Sequence, residues 1–181
     1  MSLGNTRTAY GWIAIALHWI TAASMVALWY TGENFENAVG RPARILAYGQ
    51  HVSVGMVLFA FLAAKLVSSF AQPKPEPLER NKWLQLAAKL VQWAFLALIA
   101  VLIVTGPLAI WFNGRPINVF DLVQIPSPLP RNHDLHEVSE WVHKRAEGLF
   151  LPLLALHVLG ALKHIVFDRD ATLQRILWVK R

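Results

Sequence analysis

The chain has 181 residues, of which 55% are hydrophobic and only 15% are charged, whereas a typical soluble domain carries charge on about a quarter of its residues. This composition excludes a disordered chain and argues against a soluble enzyme, and the lack of cysteine excludes disulfides, iron–sulfur clusters and covalently attached haem c. The net charge of +6 would suit nucleic acid, but the basic residues are distributed as in a membrane protein, and we expect no nucleic-acid partner.

Four segments are apolar enough to enter a lipid bilayer. No Asp, Glu, Lys or Arg occurs within residues 8–32, 45–64 or 90–114, and a hydrocarbon core needs about 20 helical residues. A fourth window, 148–162, is shorter, but the stem of Lys163 can reach the interface and extend it. A soluble all-α bundle is the alternative, which we disfavour because such helices rarely lack a charged face. The predicted helices lie at about 10–31, 45–70, 83–112 and 141–167, in one domain spanning 1–181.

The basic residues predict the orientation of these helices. An even number of spans places both termini on the same side as the connection 65–89. That side carries eleven basic and four acidic residues, whereas the other side carries six basic and seven acidic residues. Because basic residues accumulate on the cytoplasmic side, the sequence predicts an all-α membrane protein, an antiparallel four-transmembrane-helix bundle with both termini cytoplasmic. The external connection 113–140 is rich in proline, and we expect it to be ordered and to hold a short interfacial helix.

Histidines occur at membrane depth in two matched pairs. His18, His51 and His157 lie within or at the edge of the spans, and His143 begins the last one. Ionisable groups at this depth are costly and commonly mark functional sites. At about 1.5 Å per residue, His18 lies level with His157 and His51 level with His143. A neutral histidine bonded to a neighbouring helix would explain any single one equally well, but the pairing favours a shared role.

Two opposed pairs of imidazoles suit axial ligation of two haem b groups, because haem iron takes one neutral nitrogen on each face. The pairs would be His18 with His157 and His51 with His143. Gly55, one turn after His51, could let a flat macrocycle approach the backbone, although tight helix packing is the commoner reason for such a glycine.

The last span and the loop before it carry further histidines. One helix face carries four histidines whose numbers differ by multiples of seven: His136, His143, His157 and His164. His136 and His164 would lie about 42 Å apart, which is more than the thickness of a hydrocarbon core of about 30 Å. We therefore place these two at the two membrane interfaces. His133 and His136 are predicted in the external loop. Solvated loop residues are the simpler interpretation, but these two are also candidates for catalytic proton handling at an external redox site.

Several short motifs along the chain match the pattern of one family. They are Ala16-Leu17-His18-Trp19, Gln50-His51-Val52-Ser53-Val54-Gly55, Val104-Thr105-Gly106, Gly114-Arg115-Pro116-Ile117-Asn118-Val119-Phe120, Gly160-Ala161-Leu162-Lys163-His164 and Asp168-Arg169-Asp170-Ala171-Thr172-Leu173. Over nearly the whole chain, the sequence resembles the bacterial cytochrome b561 family of small di-haem membrane proteins. It departs from the usual pattern at Lys65, Lys144 and Ile165, which leaves the propionate and quinone contacts open.

The resemblance implies a multi-pass electron-transfer protein of the bacterial inner membrane. It implies two haem b groups whose irons are held by the same four histidines. The usual partner is ubiquinone, supplied with electrons by an external donor. Some members of the bacterial branch are considered superoxide:quinone oxidoreductases, so the chain is either a quinone-reducing enzyme of this type or an electron carrier.

Cationic side chains are expected to pair with the haem propionates. Arg44 and Arg115 are the candidates on the external side, and Lys65 and Lys163 on the inner side. Each of them fits equally well as an interface anchor whose stem lies along lipid.

Two other functions stay open. The chain could be the haem-bearing membrane subunit of a larger complex, serving a separate dehydrogenase or a periplasmic protein that docks on the loop 113–140. A histidine-lined ion channel is the other alternative. We disfavour the channel because such pores usually place acidic residues at membrane depth, and none occurs in the apolar windows 8–32, 45–64, 90–114 and 148–162.

Overall fold

Four long helical spans form the structure, a computed structural model that describes residues 2–79 and 81–177. The first three are α1 (Trp12–Glu36), α2 (Arg41–Ala71) and α3 (Lys82–Phe112). The fourth comprises α4 (His133–Glu147), α5 (Phe150–Lys163) and a π-helical turn (His164–Asp168). Two short strands, β1 (Ile117–Val119) and β2 (Val123–Ile125), precede α4, and α6 (Gln174–Leu177) follows the last span.

Within the described residues, all four spans are long and apolar enough to cross a membrane. Their outer surfaces carry large apolar side chains, such as Phe70, Leu90 and Leu159, which are 67%, 61% and 62% exposed. In water a surface of this kind promotes association, whereas lipid tails are as apolar as leucine. The prediction of a four-helix membrane bundle is therefore confirmed.

The buried core is a single cluster of apolar side chains. Met25, Leu62, Leu98, Ile99, Ala146 and Phe150 form one cluster to which every span contributes. On the last span, Ala146 and Phe150 stand between His143 and His157. Trp29 packs against Phe150 with ring centroids 6.4 Å apart, so aromatic and aliphatic side chains from different spans meet at the centre of the bundle.

The fourth span begins at His133, and its predicted start near residue 141 is wrong. The Asn132 side chain accepts a hydrogen bond from the Leu135 amide at 3.1 Å, which caps the first turn, and Asp134 suits the positive end of the helix dipole. This polar half is helical without being hydrophobic, so an apolar window does not reveal it. His133 and His136 consequently lie on α4 instead of in a loop.

The last span is interrupted at Gly148 and Leu149, which separate α4 from α5. Pro152 lies in the first turn of α5 and has no amide proton to donate to the Gly148 carbonyl four residues earlier. The ladder of helical hydrogen bonds is therefore broken at this point.

The external connection 113–140 contains a β-hairpin that the sequence does not predict, and the helical part expected within it is the start of α4, which is continuous with the fourth span. Strands β1 and β2 pair antiparallel, with Ile117 opposite Ile125. Phe120 and Asp121 have φ angles of 51° and 58°, and the Leu122 amide donates to the Val119 carbonyl at 3.0 Å. These features define a tight turn whose twist matches paired strands. Three-residue strands and a turn without glycine leave a weak pattern in the sequence.

Candidate functional site

The structure brings the four membrane histidines together in the predicted pairs. His51 of α2 faces His143 of α4, with ring centroids 6.3 Å apart and ring planes at 84°. His18 of α1 faces His157 of α5 at 6.2 Å and 46°. In accordance with the predicted orientation, we call His51 and His143 the external pair, and His18 and His157 the inner pair.

Both separations fit two imidazoles on opposite sides of one metal ion. A histidine nitrogen binds a metal at about 2 Å, so two such rings have centres roughly 6 Å apart. The observed 6.3 Å and 6.2 Å meet this requirement. Each pair joins side chains from different helices, as cofactor sites in helical bundles do. The residues present therefore fit axial ligation of haem iron.

A cavity of about 780 Å³ adjoins the external pair. Cofactor sites commonly measure about 300–1,000 Å³, so it can hold a flat macrocycle. A Cβ atom on Gly55 would lie 3.6 Å from the Leu28 side chain, so this glycine serves helix packing and also lines the cavity. The apolar part of the wall includes Leu28, Trp29, Gly55, Ile99, Leu102 and Phe150.

Threonine hydroxyls contact both rings of the external pair. Thr31 Oγ1 lies 3.1 Å from Nδ1 of His51, and Thr105 Oγ1 lies 3.0 Å from Nδ1 of His143. The sequence pattern identifies neither threonine as a site residue. A sequence signal for them does exist. The pair Thr-Gly occurs twice, at 31–32 and 105–106, toward the external end of two different spans.

Basic side chains surround the opening of this cavity. Arg44 and Arg115, the predicted external cations, both line it, and so do Arg41 and Lys144. The Arg44 guanidinium also lies 5.2 Å from the centre of the Phe35 ring. The Lys144 ammonium is 3.1 Å from a carboxylate oxygen of Glu36. Arg41 is a further candidate, and the sequence did not distinguish it from other external bases.

The two inner cations have different surroundings. The Lys163 ammonium lies 2.5 Å from Glu79 and 2.6 Å from Asp168, so two carboxylates already balance its charge. Lys65 lies on α2, and its backbone carbonyl accepts a hydrogen bond from the Ser69 hydroxyl at 2.8 Å. Of the two inner candidates, Lys163 is the one that belongs to an ion-pair cluster.

That ion-pair cluster also contains His164. Its Nδ1 lies 3.0 Å from Asp168 and 2.8 Å from Asp170. Although burial opposes the shift, hydrogen bonds from Thr172 and His164 hold the pKa of Asp170 below its usual value. Glu79, His164 and Asp168 bring three potential metal ligands together, but the Lys163 ammonium bonds both of these carboxylates. The cluster is best described as a network of ion pairs that closes the inner end of the bundle.

The two external histidines are separated by the structure. Nδ1 of His136 donates to the Ala109 carbonyl at 2.8 Å, and its Nε2 lies 3.6 Å from Glu140 in the cavity wall. His133 is exposed and lies 3.2 Å from Glu137, and it does not line the cavity. Of the two, His136 is therefore the one that lines the cavity.

Known proteins with similar sequences point in one direction. A family model described as prokaryotic cytochrome b561 matches residues 9–178. The chain is 28% identical over 183 aligned positions to cytochrome b561 homolog 2 of Escherichia coli strain K12, covering 98% of this chain and 95% of the relative. It is also 21% identical over 173 positions to a probable superoxide oxidase, CybB, of Yersinia pestis, covering 95% of this chain and 97% of that protein.

Proposed function

Because this chain belongs to the prokaryotic cytochrome b561 family of membrane electron-transfer proteins that bind haem b, we propose that it carries two haems and passes electrons from an external donor to ubiquinone. It is a multi-pass protein of the bacterial inner membrane. The proposal places both termini in the cytoplasm, in keeping with the excess of basic residues on that side.

The observation that carries this proposal is the presence of two facing histidine pairs at different depths. His18 with His157 and His51 with His143 are the proposed axial ligands, at ring separations of 6.2 Å and 6.3 Å. One haem would require only one such pair. Two pairs on one bundle support a relay across the membrane.

Six-coordinate haem supplies reversible one-electron transfer without an open coordination position. The protein contributes the rest of the chemistry. The four imidazoles would act as neutral ligands, and an apolar core around Met25, Leu62 and Phe150 lies between the two sites. A preorganised apolar surrounding lowers the reorganisation that accompanies each change of charge.

The external opening determines which donor can approach. Arg41, Arg44 and Arg115 line the cavity on this side, and clustered basic groups attract anions and raise their association rate. Arg44 and Arg115 are also the proposed partners of the haem propionates. These charges, together with the name of the Yersinia relative, support superoxide as the donor. Nε2 of His136 lies 3.6 Å from Glu140 in the same cavity wall, so this histidine is the proposed proton-handling group of the external site.

A second candidate is a haem-bearing subunit that serves a separate protein. The hairpin favours it, because Leu122 and Val123 are 84% and 56% exposed beside the external site. In that case a protein bound at 117–125 would deliver the electrons, and the ligands and haems would be unchanged.

The test is a reduced-minus-oxidised absorption spectrum of the purified protein together with a pyridine haemochrome assay. We expect a b-type spectrum with two haems per chain. The protein is then placed in liposomes with ubiquinone and exposed to superoxide from xanthine oxidase. Ubiquinol formation above that of haem-free protein supports the superoxide reaction. One haem per chain would contradict the relay, and reduction only by a co-purified protein would favour the subunit.

A further inference from the structure

We propose that Thr31 and Thr105 are positioning residues for the external haem, and that their hydroxyls hold His51 and His143 with Nε2 free for the iron. They also set the reduction potential of that haem relative to the inner one. The inference rests on the proposed function, since it requires a haem between these two histidines.

The hydrogen bonds of Thr31 determine which nitrogen of His51 carries the proton. Its Oγ1 lies 3.0 Å from the Ala27 carbonyl and 3.1 Å from the Leu28 carbonyl, and donates to them. A hydroxyl has a single proton, so the oxygen that donates it to these carbonyls accepts from Nδ1 of His51, 3.1 Å away. The backbone at Leu28 offers the same ring a second acceptor. Nδ1 is therefore protonated, and Nε2 keeps the lone pair that a metal needs.

Thr105 repeats this arrangement on the opposite side of the site. Its Oγ1 donates to the Val101 carbonyl at 2.7 Å and accepts from Nδ1 of His143 at 3.0 Å. The His143 ring is thus held in the same tautomer as His51. Each ligand of the external pair is oriented by a helix other than its own, α1 for His51 and α3 for His143.

The glycine after each threonine lies against the ring that the threonine contacts. A Cβ atom on Gly32 would lie 3.5 Å from Cε1 of His51, an ordinary contact, whereas one on Gly106 would lie 3.2 Å from Cε1 of His143. The second distance is tight enough that the ring would have to shift. The Thr105-Gly106 pair therefore supplies both a hydrogen-bond acceptor and the space for the ring that uses it.

The inner pair has different neighbours. The His18 ring meets Trp19 edge-on at 5.2 Å, and the His157 ring meets Phe95 at 5.6 Å. Among residues 2–79 and 81–177, no hydroxyl lies within hydrogen-bond distance of either ring. The two sites thus differ in the groups around their ligands, although the ring separations are nearly equal.

This difference has an electronic effect on the iron. An imidazole that donates a hydrogen bond from Nδ1 is a more basic ligand, and a more basic ligand stabilises the oxidised iron. Hydrogen bonding around the ligands is one of the means by which proteins tune haem potentials. The threonines should therefore lower the potential of the external haem and leave the inner haem unaffected.

The experiment compares Thr31→Val and Thr105→Val with Thr31→Ser and Thr105→Ser in the full-length protein with haem bound. Valine keeps the shape without the acceptor, and serine keeps the hydroxyl. Potentiometric titration is followed through the absorption bands of both haems, and EPR records the ligand field. We expect each valine variant to raise one potential, so that the reduced fraction of that haem rises several-fold at a fixed potential. The serine variants should match the wild type.

Three outcomes decide the inference. Valine variants with two haems and unchanged potentials, or with both potentials shifted equally, would overturn it. If a valine variant loses the external haem, retention by the matching serine variant supports the role of the hydroxyl, and equal loss overturns it. A wild-type protein with fewer than two haems would overturn the proposed function as well, so the two failures are distinguishable.

Discussion

The hydroxyl of Ser53 accepts a hydrogen bond from the backbone amide of Phe120 at 2.8 Å, which joins the external hairpin to the helix that carries His51. The same hydroxyl lies 3.4 Å from the Asn118 carbonyl. Ser53 is buried at 2% exposure, and Ile117 at the start of the hairpin is completely buried. The hairpin is therefore fixed over the external cavity by one side chain, two residues after a proposed haem ligand.

Replacing Ser53 by alanine should loosen the hairpin without removing a haem. The Phe120 amide would lose its acceptor, which costs about 0.5–1.5 kcal/mol. We expect faster proteolysis between residues 113 and 131 in detergent, with two haems retained. Ser69→Ala is the matched control, because that hydroxyl bonds the Lys65 carbonyl of its own helix, at 2.8 Å. Equal protease sensitivity in both variants would contradict the role given to Ser53.

Substitution of the ligands should remove haems in pairs. His18→Ala and His157→Ala are each expected to abolish one haem, and His51→Ala and His143→Ala the other, because a single remaining imidazole binds the iron more weakly. The measurement is the haem-to-protein ratio with the potential of the remaining haem. His133→Ala, at an exposed position on α4, should retain both haems. If His18→Ala and His143→Ala removed the same haem, the pairing would be wrong.

Alanine at position 106 should disturb the external site. The added methyl would meet Cε1 of His143 at 3.2 Å, and the ring would have to move off the iron axis. We expect reduced haem occupancy or an altered EPR signal of that haem alone. Gly49→Ala is the control, since nothing lies within 4 Å of a Cβ atom there and alanine favours a helix more than glycine does. Identical spectra for Gly106→Ala and wild type would count against the close contact.

Removing a charge from the opening should slow reduction by an anionic donor. Arg115 lines the cavity, so Arg115→Gln should lower the rate with superoxide several-fold and weaken its dependence on ionic strength. Arg145→Gln removes the same charge from α4 beside the Trp141 ring, away from the cavity wall, and should have a smaller effect. Equal rates for the two variants, or a wild-type rate independent of salt, would show that the opening does not steer the donor.

The four spans and the histidine pairs could be predicted because apolar side chains favour lipid and charged side chains favour water. Charge-free windows mark the lipid-facing part of each span, and the costly histidines stand out against them. The start of α4 was not visible in this way, because a capped polar turn such as that after Asn132 is helical without being apolar. The hairpin also escaped prediction, since its turn places Phe120 in a conformation that non-glycine residues rarely adopt.

The threonines show a different limit of sequence-based prediction. Thr31 and His51 are 20 residues apart in the chain, and Thr105 and His143 are 38 residues apart, so no local motif connects either hydroxyl with its ring. The contact forms only because the two helices pack in one particular register. Hydrogen bonds between helices depend on how far each helix is rotated about its axis, which periodicity alone does not determine.

The break at Gly148 and Leu149 divides the last span into two helical segments. His143 belongs to the segment before it and His157 to the segment after it. Because Pro152 cannot make the helical hydrogen bond across this point, the joint bends more easily than a continuous helix would. In the proposed haem protein, the two ligands of the last span would therefore be carried on separate segments, and a change of angle at the joint would alter the spacing between the two haem sites.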